Sequence, residues 1–199
     1  MIFFKKSPAM SGVEYIVAGL GNPDRKYERT RHNSGFMAID TLCDKLNCEL
    51  KTLKFKSYCG TAVINGKKVL LMKPQTYMNN SGEALVQAMN FYKVPPEKAI
   101  IILDDISLDV GKMRIRRKGT DGGQRGMASI IYLSGSDMFP RIKLGIGAKP
   151  NPEYDLAAWV LSKFNDDEYK TMLKTCENIL PALEYIVDGN IDKAMNLYN

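Results

Sequence analysis

His32 is the only histidine among the 199 residues, and it lies in the polar stretch 27–37. Imidazole exchanges protons near neutral pH, so acid–base chemistry by a histidine in this chain has to use this side chain. Asn33 or Ser34 is the expected N-cap of a helix that follows. A histidine beside a turn more often bonds only a loop carbonyl, so a catalytic interpretation depends on polar partners from other segments.

Polar side chains that could be these partners stand directly after predicted strands. Asn22 follows the apolar segment 13–19, and Asp104 follows the apolar segment 99–103. Asn79 lies in a polar loop after a third strand. The carboxyl ends of neighbouring parallel strands share one edge of a sheet, so we expect Asn22 and Asp104 to lie on the same edge.

These residue types suit hydrolysis. A carboxylate beside His32 would select its tautomer and stabilise the imidazolium that forms when it takes a proton. Asparagine amides can hold a carbonyl or an oxyanion without adding charge. No serine or cysteine stands in a G-x-S-x-G elbow, so water activated by His32 is favoured over a covalent acyl-enzyme. A metal site of His32, Asp104 and Asp105 is an open alternative, although this ligand set is sparse.

Both strands and helices are predicted to position these residues. The length of 199 residues suits one domain. A helix is predicted over 34–47, because Phe36, Ile39, Cys43 and Leu46 recur at helical spacing. A sheet with helices on both faces fits this pattern. Further strands are predicted at 55–64, 67–72, 112–117 and 141–147, and further helices up to Val94, at 127–133 and, two or three of them, after Pro152.

The charge distribution indicates a possible polyanionic partner. The formal charge is +6, and Arg114 and Arg116 belong to a cluster of cations between 112 and 125. In a strand these two arginines would point to the same face. The cluster is either a contact surface for nucleic acid or a solvated edge strand guarded by charge.

A cytoplasmic location is expected. No apolar run is long enough to span a membrane, and the first residues lack the apolar core and cleavage site of a signal peptide. Residues 1–12 are expected to form a short, poorly ordered arm. The cysteines show neither metal-ligand spacing nor a disulfide framework, so we expect reduced thiols at Cys43, Cys48, Cys59 and Cys176.

Three further segments have predicted roles. The glycine-rich loop 118–126 could present backbone N–H groups to phosphate, or it could be a flexible connection. The segment 154–164 could cover the site, but simple packing on the sheet is the favoured interpretation. Asn80 and Glu83 are expected to form a capping pair at a helix start.

Four runs of sequence, in order and at the family's spacing, resemble bacterial-type peptidyl-tRNA hydrolases: GLGNPDRKYERTRHNSG, KPQTYMNNSGEA, ILDD followed by VGKMRIR, and RIKLGIG. The later run YDLAAWVLSKF is also similar. The resemblance implies a single α/β domain, 13–199, with a mixed twisted central β-sheet flanked by helices on both faces. It also implies hydrolysis of the ester between a peptide and the 3′ end of tRNA, which recycles tRNA from stalled or aborted translation, without a metal or other cofactor.

The same resemblance implies roles for individual residues. His32 would be the general base, Asp104 its supporting carboxylate, and Asn22 the side chain that helps to distinguish N-blocked peptidyl-tRNA from free aminoacyl-tRNA. Asn79 would position the substrate. Two aromatic and three basic positions would contact the substrate or the tRNA phosphates, which favours RNA as the partner of the basic cluster: Tyr27, Tyr77, Arg114, Arg116 and Lys143.

The glycine-rich loop departs from the pattern of that family, which usually reads G-G-H-N-G. Here residues 122–126 read G-G-Q-R-G. Gln124 replaces the histidine, so a second histidine is dispensable for the chemistry proposed. Arg125 replaces the asparagine and has no acceptor, so we expect it to hold a phosphate instead.

A non-catalytic RNA-binding protein on the same fold is the alternative function. Such a protein would keep the basic face but would not need His32 and Asp104 together. The expected partner in either case includes the acceptor stem and 3′ end of a tRNA. We expect a monomer with no obligate protein partner and no membrane attachment.

Overall fold

The computed structural model describes residues 12–199, so the arm expected at 1–12 lies outside the described residues except for Gly12. The described strands are β1 (Tyr15–Gly19), β2 (Thr52–Lys54), β3 (Ser57–Ile64), β4 (Lys67–Pro74), β5 (Ala99–Asp105), β6 (Met113–Arg116) and β7 (Arg141–Gly145). They form one sheet in the order β2-β3-β4-β1-β5-β7-β6.

The middle of this sheet is parallel and its two margins are antiparallel. β1 lies between β4 and β5 and runs parallel to both, and β7 runs parallel to β5. β3 and β2 continue one side with antiparallel pairing, and β6 does so on the other. The mixed sheet is thus confirmed. The parallel pairing of β1 with β5 places Asn22 and Asp104 at the same edge, as expected.

Helices cover both faces of the sheet, which confirms the predicted layers. Within residues 12–199 they are α1 (Ser34–Lys45), α2 (Ser81–Tyr92), α3 (Arg125–Ser134), α4 (Leu156–Leu161), α5 (Asp166–Cys176), α6 (Ile179–Val187) and α7 (Ile191–Tyr198). None of them is long and apolar enough to cross a bilayer.

Each face has its own apolar core because side chains alternate along a strand. Tyr15 and Val17 of β1 pack in one core with α1, α5, α6 and α7. Ile16 and Ala18 pack in the other core with α2 and α3. All five residues of β1 are buried, as expected for a central strand covered on both sides.

Three details differ from the sequence-based predictions. β2 was not predicted, because its three residues are all exposed and show no apolar pattern. Four helices, not two or three, follow Pro152. The capping pair at the start of α2 is wrong: Asn80 makes no side-chain capping bond, and Glu83 forms an ion pair with Lys56 at 2.6 Å.

Candidate active site

His32 lies in a 3-10 turn that leads directly into α1. Its Nδ1 is 2.7 Å from Oδ2 of Asp104, near the end of β5. Both side chains are buried. A carboxylate accepts hydrogen bonds, so the proton of a neutral imidazole lies on Nδ1 in this pair. Nε2 has no hydrogen-bond partner among the described residues and is left as the basic nitrogen.

Two glycines allow this close approach of His32 to the sheet. Gly35, in the first turn of α1, lies against the backbone of Leu20 and Ile102, and any side chain there would collide with both. Gly19 lies equally close to the carbonyl oxygen of Gly35. The start of α1 therefore rests directly on the ends of β1 and β5.

Asn22 is fixed through its backbone and through one atom of its side chain. The side chain of Asn33 accepts a hydrogen bond from the Asn22 N–H at 2.9 Å and donates one to the Asn22 carbonyl oxygen at 3.0 Å. Asn22 Oδ1 accepts from the Met78 N–H at 2.9 Å. The NH₂ group of Asn22 has no partner within residues 12–199, so it can donate to a substrate.

Asn33 was considered as the N-cap of α1, but its side chain makes no capping bond. Its amide is already used on both backbone groups of Asn22. Ser34, the other candidate, is the first residue of α1, and its hydroxyl has no partner within the described part of the chain.

Gln124 contacts the second oxygen of Asp104. Its Nε2 donates to Asp104 Oδ1 at 3.0 Å, and its Oε1 accepts from the Met127 N–H at 2.7 Å, which caps α3. The chain therefore lacks the usual histidine at this position, but the residue that replaces it still contacts the site.

Arg31 joins the turn that carries His32 to three other segments. Its guanidinium bonds both carboxylate oxygens of Glu168 on α5, at 2.9 and 2.8 Å, and the carbonyl oxygen of Ile146 at 2.9 Å. It also lies 3.9 Å above the ring of Trp159 on α4. Arg31 is only 5% exposed, whereas the side chain of Glu168 is 26% exposed. This half-buried ion pair ties α5 to the turn, and the stacking on Trp159 ties α4 to it.

A cavity of about 460 Å³ lies at this edge of the sheet, and Gln124 is part of its lining. Asn22, His32 and Asp104 contribute polar groups to its lining. The expectation that 154–164 simply packs on the sheet holds only in part. Phe164 is buried in the core and Val160 packs against it, but α4 has no buried residue and also lines the cavity. The apolar part of the lining includes Leu156, Ala157, Val160 and Leu161.

The structure places Tyr27, Tyr77 and Asn79 in the same cavity lining. The hydroxyl of Tyr77 donates to the carboxylate of Asp24, with a shortest O–O distance of 2.9 Å. This bond connects the loop after β1 with the loop after β4. Asn79 is exposed in a 3-10 turn just before α2, where its amide is accessible to a ligand.

The predicted basic residues separate into two groups. Arg125, exposed at the start of α3, and Lys143 on β7 both line the cavity. Arg114 is directly opposite Lys143 in the β6–β7 pairing, so these two side chains share a face. Arg116 lies on that face two residues further along the edge strand and is exposed.

Lys143 is not a free cation, because its Nζ is 2.9 Å from Oδ2 of Asp105. Burial acts to raise the pKa of Asp105, but hydrogen bonds from Lys143 and Ser107 outweigh it, so this pKa lies below its ordinary value of 3.8. Asp105, which the alternative metal site would need as a ligand, is therefore paired with Lys143 instead. Among residues 12–199, no group of three or more His, Cys, Asp or Glu side chains is placed to share a metal ion.

Comparison with known proteins agrees with this geometry. A sequence model of the family described as peptidyl-tRNA hydrolase matches residues 16–199. The chain belongs to this family. The peptidyl-tRNA hydrolase of Caldanaerobacter subterraneus is 52% identical over 185 residues, which are 93% of this chain and 99% of the relative. That of Agathobacter rectalis is 50% identical over 186 residues, 93% and 100% of the two chains.

Solved structures of peptidyl-tRNA hydrolases show the same fold. The crystal structure of the peptidyl-tRNA hydrolase from Acinetobacter baumannii matches with a TM-score of 0.87 at 33% identity, over 96% of this chain and 97% of that chain. A complex of a peptidyl-tRNA hydrolase with N-propanol also matches with a TM-score of 0.87, at 34% identity over 97% of each chain. The resemblance of the four sequence runs to the peptidyl-tRNA hydrolase family is confirmed.

Sequence reasoning missed three residues of this peptidyl-tRNA hydrolase site. Arg31 and Asn33 flank His32, and Gln124 stands at a helix start. Adjacency to the only histidine is the signal that could have indicated Arg31 and Asn33, which are both buried. The partners of Arg31, Asn33 and Gln124 lie 137, 11 and 20 positions away, respectively, which the local pattern does not reveal.

Proposed function

We propose that this protein hydrolyses the ester between a peptide, or an N-blocked amino acid, and the 3′ end of tRNA, with His32 as general base and Asp104 as its supporting carboxylate. Family membership supports the reaction. The observation that carries the mechanism is the 2.7 Å pair of His32 and Asp104 at a cavity that also contains the free amide donor of Asn22.

In this mechanism Nε2 of His32 takes a proton from a water molecule, whose oxygen bonds to the ester carbonyl carbon. Asp104 stabilises the imidazolium that forms. The bond between that carbon and the 3′ oxygen then breaks, and the imidazolium returns the proton to the leaving 3′ oxygen. The products are a tRNA with a free 3′ hydroxyl and a peptide with a free carboxylic acid, which releases its remaining proton to solvent and becomes a carboxylate.

Asn22 would supply selectivity for blocked substrates. Its free NH₂ group can donate to the carbonyl of a peptide or N-acyl bond, which is an acceptor. A free α-amino group is cationic and has no such acceptor, so an unblocked aminoacyl-tRNA would leave the donor unpaired. Asn79, accessible in the same cavity lining, would hold a second polar group of the substrate.

The tRNA would lie along the basic edge of the sheet. Arg125 at the cavity and Arg114 and Arg116 on the edge strand would contact phosphates, and Lys143 would contribute while paired with Asp105. The rings of Tyr27 and Tyr77 would contact the 3′ end of the substrate, where aromatic faces can stack on bases. The protein would act as a cytoplasmic monomer that recycles tRNA, without a metal or an obligate partner.

The test is release of N-acetylated amino acid from a charged tRNA in EDTA, with the unblocked aminoacyl-tRNA as control substrate. Wild type should cleave only the blocked substrate, and His32→Ala should lose at least ~100-fold in kcat, the low end for general-base catalysis. Asn178→Ala, an exposed side chain without a hydrogen bond, is the matched control and should keep full activity. Loss of activity in EDTA would indicate metal chemistry, and tRNA binding without cleavage would indicate the RNA-binding alternative.

A further inference from the structure

The orientation of the Gln124 amide follows from hydrogen-bond chemistry. Its two ends lie 2.7 Å from the Met127 backbone nitrogen and 3.0 Å from Asp104 Oδ1. A backbone N–H can only donate, so the atom facing Met127 has to be the amide oxygen. The NH₂ group therefore faces Asp104, and it also lies 3.0 Å from the Met78 sulfur.

Both oxygens of Asp104 then accept a hydrogen bond. Oδ1 accepts from Gln124, and Oδ2 accepts from Nδ1 of His32 at 2.7 Å. Because Asp104 is 5% exposed, water has little access to replace either donor. The donor and acceptor roles in this series of hydrogen bonds are thus set by the N–H of Met127 in the first turn of α3. The series ends at His32, whose Nε2 is left as the free base.

We infer that Gln124 is a positioning residue for the general base: it holds Asp104 as an acceptor at both oxygens and so keeps the lone pair of His32 Nε2 available to water. This inference rests on the proposed function. An amide suits the task because it presents a donor and an acceptor on the same group and does not ionise. Gln124 therefore supplies a hydrogen bond to Asp104 without adding a second imidazole to the site.

Three variants separate this role from the capping of α3. Gln124→Ser keeps a hydroxyl that can accept from the Met127 N–H, because serine is a good N-cap, but it is too short to reach Asp104. Gln124→Glu keeps the length and the cap acceptor but places a second carboxylate oxygen beside Asp104. Gln124→His keeps a ring nitrogen on each side and should behave like wild type.

The expected result, at a temperature where the variant is folded, is a kcat lower by about 10- to 100-fold in Gln124→Ser, as for the loss of a hydrogen bond to a charged group, with KM nearly unchanged. Gln124→Glu should lose more, since it adds repulsion. Wild-type kcat in Gln124→Ser would overturn the inference. A loss of kcat in Gln124→Ser and Gln124→Glu that disappears at a temperature where both variants are fully folded would also overturn it.

A second readout does not depend on activity. His32 gives the only imidazole signals in a ¹H–¹⁵N spectrum of wild type. We expect the Nδ1–H tautomer in wild type and a weaker or broader Nδ1 proton signal in Gln124→Ser. If wild type is inactive but the Nδ1 proton signal still weakens in Gln124→Ser, the proposed function is contradicted and the positioning role is supported. If the signal in Gln124→Ser is the same as in wild type, the positioning role itself is contradicted.

Discussion

Replacing Asn33 by alanine tests whether this residue holds Asn22, whose side-chain amide is proposed to bind the substrate. Asn33 bonds both backbone groups of Asn22, and the two residues are 5% and 7% exposed. Each buried group left without a partner costs about 1–3 kcal/mol. We therefore expect Asn33→Ala to lower the free energy of unfolding by about 2–5 kcal/mol, less where water enters from the cavity.

The effect on catalysis should be separate from this loss of stability. A displacement of about 1 Å at a positioning group can cost ~100-fold in rate, so we expect a loss of that order in kcat/KM for the blocked substrate. Asn33→Asp is a sharper variant, because it keeps the acceptor for the Asn22 N–H but sets a carboxylate oxygen against the Asn22 carbonyl. It should lose at least as much activity as Asn33→Ala.

The measurements are urea unfolding and steady-state release of N-acetylated amino acid at a temperature where every variant is folded. Asn178→Ala, whose side chain is exposed and makes no hydrogen bond, should stay within about 0.5 kcal/mol of wild type. If Asn33→Ala behaves like this control in both assays, the reasoning about Asn22 is refuted.

Three further predictions concern charged groups. Asp104→Asn should lower kcat by about 100- to 10,000-fold with little change in KM, because a neutral amide does not stabilise the imidazolium as the carboxylate does. An unchanged kcat with a raised KM would contradict this. Arg31→Met should lower the free energy of unfolding by about 1–3 kcal/mol, since it removes the hydrogen bonds between a buried guanidinium and a partly exposed carboxylate on α5, and thermal unfolding measures it. Asp105, whose pKa is held below 3.8, stabilises the fold above that pH and loses this contribution as the pH falls through the lower folded value. Wild type should therefore exceed Asp105→Asn in stability at pH 7, with a gap that narrows in urea titrations below pH 4.

Much of the fold was accessible from the sequence because its signals are local. The apolar runs that became β1 and β5 are long enough to identify buried strands, and the polar residues after them mark a sheet edge. Because the chain has one histidine, acid–base catalysis by an imidazole had a single candidate. These features predicted Asn22, His32 and Asp104 as one site, and the structure brings the three together.

What the sequence could not determine is the partner of each long-range hydrogen bond. Gln124 looked like a substitution without consequence, yet it contacts Asp104, 20 positions away. Arg31 reaches Glu168 across 137 positions. Sequence pattern records whether a position is buried and which turn it favours, but a charge or amide at that position is compatible with many partners.

The role of α4 shows the same limit. Its sequence is apolar enough to pack on a sheet, and this was the expectation. In the structure it lines the cavity and is held at Trp159, whose indole N–H donates to the Gly147 carbonyl oxygen at 2.9 Å and whose ring lies under Arg31. The sequence by itself determined the strands, the helices and the residue types that meet at one edge of the sheet. Only the tertiary structure decided which buried donors orient those residues and which helix lines the cavity, because both depend on contacts between segments far apart in the chain.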